Sequence, residues 1–113
     1  MDDGKSTLEK LKNDGNDVNV QDADGRTGLW LAALGGHLPV LEFLVSEGAN
    51  VDDKNKEGQT ALMEASYYGH LSVCEHLISQ NCDVMIQWDG LTALDAAKQG
   101  QNEEIVALLE SLK

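Results

Sequence analysis

Residues 55–87 read NKEGQTALMEASYYGHLSVCEHLISQNCDVMIQ, and the chain on either side repeats their plan. Upstream, residues 22–54 read DADGRTGLWLAALGGHLPVLEFLVSEGANVDDK; downstream, residues 88–113 read WDGLTALDAAKQGQNEEIVALLESLK. The register follows by subtraction. Gly25 to Gly58 and Thr27 to Thr60 are both 33 residues. Gly58 to Gly90 and Thr60 to Thr92 are both 32, so the third connection lacks one residue. Gly36-His37 returns as Gly69-His70, and Val51 returns as Val84. A period of about 33 residues signals a supersecondary unit stacked on copies of itself, not a closed globule.

Each copy carries the same local signals. Thr27 stands where a hydroxyl caps a helix. Leu29, Ala32 and Ala33 follow as its buried side, with alanines that allow close helix packing. Gly36-His37 turns the chain, and Pro39 is tolerated in a first helical turn. Val40, Leu41, Leu44 and Val45 then form a second apolar stripe at helical spacing. The segment Val18 to Thr27, with Asp22, Asp24 and Gly25, reads as a hairpin-like turn. In the last copy Asn102-Glu103-Glu104 puts acids in a first helical turn, where they suit the helix dipole. Lys98, Gln101, Glu103, Glu104, Glu110 and Ser111 give it the polar outer side that a terminal repeat requires. At the other end Ser6-Thr7-Leu8-Glu9 is a capping box, and Leu8 and Leu11 align with Leu41 and Leu44. The expected division is an N-terminal half-repeat at 1–21, repeats at 22–54 and 55–87, and a C-terminal capping repeat at 88–113. The half-repeat offers only Leu8 and Leu11 to cover the first full repeat, so the amides of 6–14 are expected to exchange faster than those of 73–78.

The repeated residues resemble the ankyrin repeat family. They are Asp24-Gly25-Arg26-Thr27-Gly28-Leu29, Ala32-Ala33, Gly36-His37, Val40-Leu41, Phe43-Leu44 and Gly48-Ala49-Asn50-Val51 in the first full copy. Gly58-Gln59-Thr60-Ala61-Leu62, Gly69-His70, Val73 and Leu77-Ile78 carry it in the second, and Gly90-Leu91-Thr92-Ala93-Leu94 with 105–109 in the third. The resemblance implies an all-α fold: a helix-turn-helix solenoid with hairpin-like β-turns between repeats. Three departures stand out. The family's usual proline after the threonine is Gly28, Ala61 and Ala93; Asn81 replaces a turn glycine; Gln101 replaces the third glycine before the second helix.

Composition narrows the function. Twenty acids against eight bases give a net charge of −12. That opposes a phosphate-backbone partner, which needs a basic patch, and an anionic membrane surface. No apolar run has the length of a membrane helix and no signal peptide is visible. Two cysteines without a framework, in a repeat class that is mostly intracellular, suggest a reducing compartment, cytoplasmic or nuclear. The chain reads as a monomer.

Catalytic and metal chemistry find little support. The histidines His37 and His70 fall at the family's turn position, where the ring is expected to bond backbone and brace the repeat. His76 aligns with Phe43, Cys74 with Leu41 and Cys82 with Ala49. A zinc set from His70, Cys74, His76 and Cys82 has the right residue types, but its spacing matches no finger pattern. No triad spacing and no glycine-rich phosphate loop is present. Acid pairs such as Asp52-Asp53 and Glu103-Glu104 read as solvated turn and helix-start residues. No enzyme activity and no cofactor is expected.

A binding surface remains. Four-residue steps place Arg26, Trp30 and Leu34 on one helix face, Gln59, Met63 and Tyr67 on the next, and Leu91, Asp95 and Gln99 on the third. The resemblance implies that this face and the turn tips line a groove that grips a partner protein. The expected contact residues are Asp24, Arg26, Trp30, Leu34, Glu57, Gln59, Met63, Tyr67, Tyr68, Trp88, Asp89 and Leu91. Trp30 and Met63 read equally as packing residues between repeats. The expected partner is a basic segment with an apolar anchor, steered by Asp22, Asp24, Glu57, Asp89 and Asp95; aromatic faces beside Glu64 also suit a methylated lysine. Alternatives are an inhibitor that occludes an enzyme surface, or a piece of a longer array. Finally, Leu11 to Asn19 resembles the substrate pattern of the hydroxylase that modifies ankyrin asparagines, making Asn19 a candidate site.

Overall fold

The computed structural model describes residues 18–112. The expected capping box at Ser6 and the half-repeat leucines Leu8 and Leu11 lie outside them. Among the described residues six helices follow in three antiparallel pairs: α1 (Gly28–Gly35) with α2 (Leu38–Ser46), α3 (Ala61–Tyr68) with α4 (Leu71–Ser79), and α5 (Ala93–Gln99) with α6 (Glu103–Glu110). The stack measures 40 × 25 × 24 Å.

The inner helices α1, α3 and α5 start at the three threonines. Thr27 Oγ1 accepts from the Trp30 amide at 3.2 Å, and Thr60 Oγ1 from the Met63 amide at 3.1 Å. The Thr27 hydroxyl also faces the Asp53 carboxyl at the end of the same copy. The third cap is a capping box in which Asp95 Oδ2 accepts from the Thr92 amide at 3.0 Å and from its hydroxyl at 3.2 Å. Asp95 is therefore committed to its own helix, contrary to the expectation that it adds to a partner-facing acidic field.

Small side chains decide the stacking. Ala32, Ala33, Ala61, Ala65, Ala93 and Ala97 are all buried on the inner helices. Without bulk between them, α1, α3 and α5 pack closely in a row, whereas α2, α4 and α6 touch one another far less. The outer helices splay, and the inner helices with their turns face the hollow side. Leu29, Leu41, Leu44, Val73, Leu77 and Ile105 fill the space between layers.

Polar side chains then lock one copy to the next. His70 Nε2 lies 3.0 Å from the Leu34 carbonyl, which only accepts, so Nε2 carries the proton. Gly36 makes room for it: a Cβ there would sit 2.5 Å from His70 Nδ1. In the third copy Asn102 does the same work, its Nδ2 donating to the Ser66 and Tyr67 carbonyls, both at 2.8 Å. On the turn side Lys56 N donates to Asp24 O at 2.9 Å, Asn50 N to Asn19 Oδ1 at 2.8 Å, and Asp83 N to Asp52 Oδ1 at 2.7 Å.

The two replaced glycines keep the family's backbone. Asn81 adopts φ 61° where Gly48 has 94°, and Gln101 adopts φ 59° where Gly36 and Gly69 have 72° and 81°. A left-handed residue with a Cβ costs about 1–2 kcal/mol, partly offset because glycine gains freedom in the unfolded chain. Gln101→Gly should therefore stabilise the protein by about 0.5–1 kcal/mol, read as a higher midpoint in urea. A lower midpoint would mean that the Gln101 side chain makes contacts worth more than the strain.

Candidate functional site

The turns present the first group of candidate residues. Around Gly25, Asp22 Oδ1 accepts from the amides of Asp24 at 2.9 Å and Arg26 at 2.8 Å. Arg26 in turn pairs with Asp22 at 2.8 Å and with Asp24 at 3.3 Å. The Arg26 amide, opposed by partial desolvation and helped by the Arg26 side chain, holds the Asp22 carboxyl below its usual range. Asp22 and Asp24 thus serve the turn and meet their cation within it. In the next turn Asn55 takes the role of Asp22, its Oδ1 accepting from Glu57 N at 3.1 Å and Gln59 N at 3.0 Å.

The third turn is built differently, and the missing residue explains it. Trp88 stands where Asn55 stood and has no side-chain acceptor for the turn amides. With one residue fewer, the backbone closes on itself: Trp88 N donates to Leu91 O at 2.8 Å and Leu91 N to Trp88 O at 2.9 Å. Asp89 at φ 52° and Gly90 at φ 76° form the two-residue turn between them, the arrangement that an Asp-Gly pair favours in tight hairpins. Trp88 is thus the last residue before the turn, not its tip. Its half-buried ring lies against the core and the Gly58 turn.

Along the inner helices the expected face divides. Trp30 is buried, 5 % exposed, and its Nε1 donates to the Gln59 carbonyl of the next copy at 2.9 Å. It packs between repeats, and since its one polar atom and nearly all its surface are already used, the packing reading is the one the burial favours. Leu34 is half-buried against the same core. Met63 is also 5 % exposed, with its sulfur 3.4 Å from Thr60 N, yet its edge reaches the hollow side. Tyr67 and Tyr68 are open, 45 % and 55 % exposed, with ring centroids 5.0 Å apart and planes at 78°.

A cleft of about 300 Å³ opens between α3 and α5. It brings together Gln59, Met63, Tyr67, Tyr68, Trp88 and Leu91 of the expected contact residues, and adds Glu64, Thr92, Ala96 and Gln99. Asp24, Arg26, Trp30, Leu34, Glu57 and Asp89 do not line it. Thr92 and Ala96 went unrecognised in sequence. The available signal was the 32-residue offset that puts Ala96 at the position of Glu64, so a small side chain faces a long one across the neighbouring helices. Glu64 is half-buried, and burial raises its carboxyl above the usual range.

Among the described residues no three His, Cys, Asp or Glu groups converge on a metal position. His70 is turned to Leu34 O, and Cys74 Sγ lies 3.6 Å from Ser66 Oγ. Both cysteines are free. Burial, the dominant cause in each, pushes the Cys74 thiol up to about 11 and the Cys82 thiol up to about 12. Since the thiolate is the reactive form, an aromatic disulfide reagent at pH 8 should leave both unlabelled in the native protein and label both in urea. Rapid native labelling of Cys82 would show that its side of the turn opens readily.

Paired antiparallel helices stacked in register, with turns along one edge, define a helical-repeat solenoid. The chain belongs to the ankyrin-repeat family: the family model for three copies of the ankyrin repeat matches residues 2–88. The α5–α6 pair follows the same plan beyond the matched span. No curated protein matches the chain. Ankyrin repeats generally serve as protein–protein interaction modules. Among the described residues no helix is long and apolar enough to cross a membrane.

Proposed function

We propose that this chain is a non-catalytic protein-binding module, an adaptor or scaffold, that grips a segment of another protein along its hollow side. The observation that carries this reading is the Tyr67–Tyr68 pair. Both rings are exposed beside a preformed cleft in the central copy, and Tyr and Trp are the types most enriched among binding hot spots. The partner segment is basic with an apolar anchor. Glu57 and Asp89 are exposed at successive turns above the cleft, where they attract and orient cations. Asp22, Asp24 and Asp95 contribute less than their number suggests, because each is engaged within the protein.

Peptides selected from a display library against the purified protein provide the test. Tyr67→Ala or Tyr68→Ala should weaken them by about 2 kcal/mol, roughly thirtyfold, without moving the melting temperature. Asp89→Asn should slow association and flatten its dependence on salt. If both tyrosine variants bind as tightly as the parent, the partner uses the outer helices or the turn edge instead. The two free thiols favour a reducing compartment, cytoplasmic or nuclear. Hydroxylation at Asn19 remains part of the proposal. Its Oδ1 accepts from Asn50 N and its Nδ2 donates to Gly48 O at 3.4 Å, so modification requires this junction to open. Incubation with the purified hydroxylase followed by mass spectrometry of the Asn19 peptide checks it.

A further inference from the structure

We propose that the cleft between α3 and α5 is a subsite for the ammonium group of one lysine side chain, carried by the partner segment. The proposal rests on the groove-binding reading and adds to it where one of the segment's basic residues is held. Three aromatic residues line the cleft, Tyr67, Tyr68 and Trp88, together with a single carboxylate, Glu64, and no lysine or arginine. No ion pair engages Glu64 among the described residues. A half-buried carboxylate without a cation is an unfavourable arrangement, and burial has already raised its pKa. An incoming ammonium group removes that penalty and gains a charge-assisted hydrogen bond. The aromatic rings supply the other half of the recognition, since their faces attract cations.

Shape agrees with charge. At about 300 Å³ the cleft is at the small end of ligand pockets, which run to about 1,000 Å³. It takes one long side chain, not a cofactor. Met63, Leu91 and Ala96 offer apolar surface for a four-carbon stem. Ala96 is what opens the space: a glutamate at that position, as in the preceding copy, would fill it and add a second negative charge.

The probe is Nα-acetyl-lysine-N-methylamide, with its norleucine counterpart as an uncharged control of similar length. Titration into isotope-labelled full-length protein should shift the Trp88 indole N–H and the Tyr67 and Tyr68 resonances with the lysine probe only. Glu64→Gln should weaken that binding about tenfold and leave melting unchanged or slightly raised. Ala96→Leu, which fills the cleft without adding charge, should abolish it. Equal binding of norleucine, shifts confined to other surfaces, or full affinity in Glu64→Gln would overturn the proposal. The display-selected peptides separate the two levels. Peptides that depend on Tyr67 but tolerate replacement of every lysine sink the subsite and leave the groove reading standing. Peptides indifferent to both tyrosines sink both.

Discussion

Replacing Trp30 by alanine will lower the stability of folding by about 3–5 kcal/mol, as expected for a large aromatic removed from a packed interior. The ring is 5 % exposed, and it closes the junction between the first and second full copies. Its Nε1 donor on the Gln59 carbonyl adds a specific term. Trp30→Phe separates the two contributions. It keeps most of the apolar contact but leaves that partly buried carbonyl short of a donor, which costs about 1–3 kcal/mol. Equilibrium unfolding in urea measures both. Against a total stability of about 5–15 kcal/mol, the alanine variant should sit at the edge of folding at physiological temperature. A Trp30→Ala protein that melts normally yet fails to bind its selected peptides would return this residue to the groove.

Leu77→Ala should cost about 2–5 kcal/mol for a different reason. Leu77 is fully buried on α4, at the register position held by Leu44 in the first copy and Leu109 in the last. The middle position has neighbours on both sides, because α4 packs against α2, α3 and α6. Removing its methyl groups leaves a cavity that neither flanking copy can fill without moving its own helices. In a stack held by nearest-neighbour interfaces, such a lesion also uncouples the copies on either side. Leu109→Ala, at the end of the stack and 5 % exposed, should cost less. Urea unfolding of the two variants side by side gives the comparison. Equal losses would mean that the chain unfolds as one indivisible unit, with no privileged middle.

The register was legible in the sequence because it rests on local chemistry. A threonine that bonds an amide three residues on, a left-handed turn position and an apolar stripe at helical spacing all act within about four residues. Even the substitutions followed this logic. Asn81 and Gln101 were recognisable as stand-ins for glycine, and both adopt positive φ. The absent residue in the third connection could be counted in the sequence, but the form of the turn it produces could not be read there. Asn102 was harder to read. It replaces His70 in reaching back to the previous copy, with an amide in place of an imidazole, and only its two 2.8 Å bonds reveal the equivalence.

Burial and pairing were decided by tertiary structure. Trp30 and Tyr67 occupy the same helix face one copy apart, but Trp30 meets Gln59, 29 residues on, while Tyr67 meets open space. Asp95 and Glu64 are both acids on the inner helices. Asp95 turns back to cap Thr92, whereas Glu64 faces an alanine across the cleft. Trp88 joins the tyrosines only because the shortened turn sets it beside them. The sequence by itself thus determined the repeat, its helices and its turns, since those depend on neighbours along the chain. Which aromatics stay exposed, and which carboxylate lines the cleft, depend on side chains about 30 residues away in the next copy. Only the stacking of one copy on another brings them together.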